Sequence, residues 1–138
     1  MSEKRDVLTL PHDELEALQL EGIKKTLVKC YENVPFYRAR MDAAGVKPDD
    51  IRGLDDLKYL PFMERTDLRD YYPFQLLASP KSEIVRIQGS SGTTGKRVVA
   101  FYTQNDVDMW EDCCARAIVA EGGTKEDVVQ VCYGYGLF

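Results

Sequence analysis

Histidine is almost absent from this chain, with His12 the only one in 138 residues. The four cysteines, Cys30, Cys113, Cys114 and Cys132, fall at spacings that match no zinc or redox pattern, so neither a histidine–cysteine metal site nor a disulfide scaffold is indicated. They read as reduced packing residues, since a free thiol behaves as a small apolar group. No stretch of 18 apolar residues occurs, and the opening MSEKRDVLTLPHDELEAL lacks the apolar run of a secretory signal. These absences point to a cytoplasmic protein without a membrane span. Basic clusters are missing too: Lys and Arg number 18 against 23 Asp and Glu, for a net charge of -5, and they are interleaved with the acids. That excludes a nucleic-acid surface as the leading reading, because duplex binding draws on several grouped cations. Repeats and low-complexity segments are likewise lacking.

What is present is a globular balance, 44% hydrophobic and 30% charged. Over residues 12–34, Leu15, Leu18, Ile23, Leu27, Tyr31 and Val34 recur every three to five positions behind Pro11, which predicts an amphipathic helix stopped by Pro35. A second helix is predicted from PFYRARMDAAG, closed by Gly45, and a third over about 51–59. Thr66 reads as an N-cap with Asp67 and Asp70 in the first turn after it. Three Pro-Phe pairs, Pro35-Phe36, Pro61-Phe62 and Pro73-Phe74, are expected to anchor turns to a common core. Residues 1–78 are therefore read as a helical subdomain.

The pattern changes over 79–138. EIVRIQG and RVVAFYT are short runs of β-branched and aromatic residues and predict two strands joined by the loop between them. Thr103 with Asp106 is close to a capping box, opening a helix that places Val107, Trp110, Cys114 and Ala117 on one face and stops at Gly122. Trp110 is expected in the core. The acids Asp106, Asp108, Glu111 and Asp112 read as capping and solvated face, not a magnesium site. DVVQVCYG predicts a further, buried strand. The fold class is thus α/β, a helical subdomain followed by the start of a mixed sheet.

The loop QGSSGTTGKR holds the chemistry. Gly89, Gly92 and Gly95 open backbone angles closed to other residues, Ser90, Ser91, Thr93 and Thr94 add hydroxyls, and Lys96 adds a cation. A concave set of amides and hydroxyls suits a polyphosphate. The Walker pattern fails on spacing, because five residues separate Gly89 from Gly95-Lys96, then Arg97 and a strand follow. A dinucleotide fingerprint fails as well, since GYG at 134–136 has no third glycine in register.

SSGTTGK resembles the phosphate-loop signature of the adenylate-forming superfamily. With the helix that follows and with YGYGLF, and with NVPFYRARMDAAG and DLKYLPFMERTDLRDYYPF before it, essentially the whole chain is similar to phenylacetate-coenzyme A ligases. The resemblance implies ATP-dependent ligation of phenylacetate or a related aryl acid to coenzyme A through an acyl adenylate, in the setting of phenylacetate catabolism. Ser90, Ser91, Gly92, Thr93, Thr94, Gly95 and Lys96 would hold the phosphates of ATP, with Mg2+ and coenzyme A as the other co-substrates. Tyr135, Gly136 and Phe138 would lie near the aryl-acid pocket. Arg97 stands where the family commonly has proline; it either adds a phosphate contact or points to solvent. Catalytic residues are not assigned. Because family members run to roughly three times this length, the chain is expected to be an N-terminal fragment, inactive alone and prone to self-association through exposed apolar surface. The alternative is a non-enzymatic nucleotide-binding or assembly module built on the same loop.

Overall fold

The computed structural model describes Val7, residues 9–90 and residues 97–132. The chain divides into two compact units, Met1–Glu64 and Arg65–Phe138.

In the first unit α1 (His12–Asn33) begins directly after Pro11, whose carbonyl accepts from the Leu15 amide at 3.0 Å. Val34 is extended (φ -121°, ψ 102°), because a residue that precedes proline is pushed out of the helical region. Pro35 then opens α2 (Pro35–Ala43), where its missing N–H is no loss. Two helices therefore meet at a one-residue corner, and the corner is where the core forms: Val34 and Ile51 are 0% exposed, with Phe36 and Met41 also buried. Gly45, at φ 69°, ends α2 in a left-handed turn, with Gly45 N donating to Asp42 O and Val46 N to Met41 O. The segment expected as a third helix, about 51–59, holds a 3-10 turn instead, so that two short turns follow α2, Pro48–Asp50 and then Leu54–Tyr59. Asp56 holds the second by accepting from the Arg52 and Gly53 amides at 2.9 Å each, which also keeps its carboxyl below the ordinary carboxylate range. Tyr31 of α1 donates to Asp42 of α2, and Lys47 donates to both, tying the two helices together on the solvent side.

The second unit opens with α3 (Asp67–Asp70), a single turn. Thr66 does not cap it: its backbone is already helical (φ -63°, ψ -37°) and its side chain makes no cap bond. A 3-10 turn, Lys81–Glu83, leads into β1 (Ile84–Gly89), which pairs antiparallel with β2 (Val99–Thr103). The register runs Arg86↔Tyr102, Ile87↔Phe101, Gln88↔Ala100 and Gly89↔Val99, with an irregularity between Ile84 and Arg86. Period 2 then sorts the ribbon into two faces. Phe101 packs on Phe74 on one side (centroids 5.2 Å apart); Arg86, Gln88 and Tyr102 lie on the other, against α4 (Gln104–Ala120). Thr103 ends β2 and caps α4 as expected: Asp106 Oδ2 accepts from the Thr103 amide and from its hydroxyl, both at 2.8 Å. Gly122 (φ 91°) and Gly123 close α4, donating to Val119 O and Ile118 O.

Four further expectations are corrected. Residues 127–132 form no strand, and Val128 is 99% exposed. A strand is defined by a ladder partner, and among the described residues none lies beside this segment. Trp110 is not core: it is 37% exposed and covers the ribbon from outside. Of the three Pro-Phe pairs only Phe36 is buried, whereas Phe62 is 89% exposed and Phe74 is half-covered. The cysteines are free, as expected, yet Cys113, Cys114 and Cys132 are exposed and only Cys30 is partly covered, which raises its thiol pKa through desolvation. Among the described residues no helix is long and apolar enough to cross a membrane.

Candidate functional site

The β1–β2 ribbon presents a loop at its far end, and the described residues at the two loop ends are Ser90 and Arg97–Val98. Ser90 N donates to Val98 O at 2.8 Å, and Val98 N donates to Ser90 Oγ at 3.0 Å. The pair continues the ladder register by one step beyond Gly89↔Val99. Arg97 is exposed. Ser91, Gly92, Thr93, Thr94, Gly95 and Lys96 lie outside the described residues, as do Tyr135, Gly136 and Phe138. Of the sequence-predicted site residues, then, only Ser90 is placed, at the neck of the loop.

Beside the neck lies a cleft of about 360 Å³ that sequence reasoning missed, lined by Arg86, Gln88, Val107, Trp110, Glu111 and Cys114. Its floor is layered. The Trp110 ring stacks on Tyr102 with centroids 5.5 Å apart, and the Arg86 guanidinium stands 5.0 Å from the Trp110 centroid. Arg86 and Tyr102 are cross-strand partners, so one indole covers one pair. The signal was there in EIVRIQG: Val85 and Ile87 alternate with Arg86 and Gln88, giving the strand one polar face.

Three of the four acids of α4 are engaged locally, and Glu111 lines the cleft. Asp106 caps the helix, Asp108 accepts from Gln104 at 2.7 Å, and Asp112 pairs with Arg116 at 2.5 Å. Among the described residues no group of three or more His, Cys, Asp or Glu is placed to hold a metal ion.

No family model matches the chain. It is 55% identical over 126 residues to a phenylacetate-coenzyme A ligase of Escherichia coli (strain K12), which covers 91% of this chain and 29% of that protein. A phenylacetate-coenzyme A ligase of Thermus thermophilus is 48% identical over 130 residues, 94% of this chain and 29% of the relative. The chain thus spans under a third of the length of the curated relatives it matches. Among solved structures, an open conformation of 2-hydroxyisobutyryl-CoA ligase in complex with 2-HIB-AMP and CoA superposes with a TM-score of 0.83 at 26% identity, over 94% of this chain and 31% of that one. The same ligase in its postadenylation state, with 2-HIB-AMP, gives 0.82. Over nine-tenths of its length, therefore, this chain is similar to phenylacetate-coenzyme A ligases, and its α/β fold is that of the matching part of an acyl-CoA ligase.

Proposed function

We propose that this chain supplies the phosphate-holding hairpin of an ATP-dependent ligase that joins phenylacetate, or a related aryl acid, to coenzyme A. The observation behind this reading is the SSGTTGK loop mounted between two paired strands, in a chain 48–55% identical to phenylacetate-coenzyme A ligases. The chemistry has two steps. A carboxylate oxygen attacks the α-phosphorus of ATP, and pyrophosphate leaves; the thiol of coenzyme A then loses its proton, its sulfur attacks the acyl carbon, and AMP leaves with the bonding pair. In the first step charge accumulates on the departing pyrophosphate. Donors fixed around it lower the barrier more than they tighten ground-state binding. Ser90, Ser91, Gly92, Thr93, Thr94, Gly95 and Lys96 are assigned to that task, Lys96 as the offsetting cation. Tyr135, Gly136 and Phe138 are assigned to the wall of the acid pocket. Magnesium arrives with ATP, and no residue of this chain is assigned to it.

Two arms test the reading. In the first, the 126 matched residues replace their counterparts in the E. coli relative. Thioester formation from phenylacetate, ATP and coenzyme A by this chimera is the expected result, with Lys96→Ala lowering kcat by about 100-fold, the usual cost of a preorganised charge-stabilising group. A soluble, folded chimera without activity would overturn the proposal. In the second, the 138-residue chain is expected to bind ATP but to turn over none, since the relatives distribute their function over three times its length. A cytoplasmic location fits the co-substrates. We further propose that the chain self-associates through the apolar 128–131 segment; sedimentation should show a dimer that Val128→Asp dissolves, and a monomer at high concentration counts against it.

A further inference from the structure

We propose that Ser90 is a positioning residue, whose hydroxyl sets the separation and direction of the two ends of the loop instead of serving only as one more phosphate donor. The inference rests on the phosphate reading of the loop given above. In an antiparallel ladder, a hydrogen-bonded pair exchanges two backbone bonds, each residue giving its N–H to the other's carbonyl. Ser90 and Val98 stand at such a pair, one step beyond Gly89↔Val99. Half of the exchange is regular, Ser90 N to Val98 O at 2.8 Å. The other half is substituted: the Val98 amide goes to Ser90 Oγ at 3.0 Å, where a continuing ladder would offer the Ser90 carbonyl.

The substitution has two consequences. The Ser90 carbonyl is released from the ladder, so the chain can leave the strand direction at residue 90 while Val98 is still held in it. A hydroxyl that accepts with its oxygen also keeps its hydrogen, so Ser90 can donate while it clamps. Alanine at 90 would lose the clamp, and the Val98 amide would have to find water or pull the Ser90 carbonyl back into register. Threonine would keep it. The neighbouring Gly89 and the exposed Arg97 offer no side chain that can take over the acceptor role.

The experiment uses the 138-residue chain, with ATP in the presence of magnesium as the probe, and two measurements: equilibrium affinity, and exchange of the Val98 amide by NMR. A clamp worth one ordinary hydrogen bond predicts that Ser90→Ala weakens ATP binding about five-fold and speeds Val98 exchange, and that Ser90→Thr restores both. Val98→Pro is the reciprocal variant. It removes the donor and leaves the Ser90 hydroxyl untouched, so it should weaken binding to a similar extent, with the fluorescence of the single tryptophan reporting that the ribbon is still folded. Full ATP affinity in folded Val98→Pro would overturn the proposal and make Ser90 a plain phosphate contact. Faster Val98 exchange in Ser90→Ala with unchanged affinity would overturn it as well, leaving a bond that serves only the ribbon. If the unaltered chain binds no ATP, the phosphate reading itself falls, and this proposal with it; that result is distinct from the other two.

Discussion

Removing the Asp106 carboxylate should do more harm than removing the Thr103 hydroxyl, although a capping rule based on sequence ranks the N-cap residue first. Asp106 Oδ2 accepts two bonds of 2.8 Å, from the Thr103 amide and the Thr103 hydroxyl, whereas the return bond, Asp106 N to Thr103 Oγ1, is long at 3.4 Å. Each bond to the carboxylate contributes about 1 kcal/mol net, and a negative charge in the first turn adds about 0.5 kcal/mol through the helix dipole. Asp106→Ala should therefore cost about 2.5 kcal/mol. Thr103→Val keeps the amide bond and forfeits only the hydroxyl, for about 1 kcal/mol. In a unit of this size the first figure is a fall in Tm of roughly 10 °C. The single tryptophan makes the assay direct, because Trp110 lies in α4 and stacks on Tyr102, one residue before the junction. Thermal unfolding followed by its fluorescence reads the strand-to-helix joint itself. A Tm unchanged in Asp106→Ala, or a larger fall in Thr103→Val, would refute the reasoning.

Ile51, wholly buried against the α1–α2 corner, should lose about 2–5 kcal/mol on truncation to alanine, measured by urea unfolding; a loss below 1 kcal/mol would mean that the corner collapses to refill the space. Gly123→Ala would bring its new Cβ to 2.5 Å from Ile118 Cγ2 and 2.9 Å from Ile118 O, so the last turn of α4 should open, and amide exchange at positions 122 and 123 should rise; unchanged exchange would show that the turn yields without unwinding. Asp42 has its pKa lowered from 3.8, first by the Lys47 hydrogen bond and then by Tyr31. A depressed carboxyl contributes stability that is present above its unfolded pKa and lost as pH falls through the folded one, so this contribution should hold from neutral pH down to the ordinary carboxylate range and fade below it. Lys47, whose pKa is raised by the same bond, loses its share only as pH climbs through its folded pKa, above the ordinary 10.5. NMR titration of Lys47→Met should return the Asp42 midpoint towards 3.8; an unmoved midpoint would refute the pairing.

The elements that sequence reading placed well are those whose signals are local. Pro11 and Pro35 bracket α1, Gly45 and Gly122 end their helices in left-handed turns, and the Thr103–Asp106 pair opens α4. Each signal acts within four or five residues, so one sequence suffices to read it. The hairpin was legible for the same reason: two β-branched runs flank one glycine-rich turn. The failures share an opposite cause. Thr66 has the side chain of a cap, but its backbone had already entered the turn, and only coordinates show that. Periodicity groups Trp110 with Val107, Cys114 and Ala117 on one face of α4, yet says nothing of how completely that face is covered.

Residues 127–132 make the general point most clearly. Val128, Val129 and Val131 have the β-branched chemistry of a strand, but that propensity expresses a fit to a half-buried pleated surface and is not an intrinsic shape. Among the described residues no strand lies beside the segment, so its backbone gains no ladder and the valines are exposed. The loop at 90–98 shows the complementary case. Its composition carries the proposal of a phosphate cradle, but the bond at its neck, a serine oxygen in the place of a backbone carbonyl, depends on register, and register belongs to two strands jointly. Composition therefore points to the class of ligand, whereas the pairing of β1 with β2 fixes where the two ends of the loop stand.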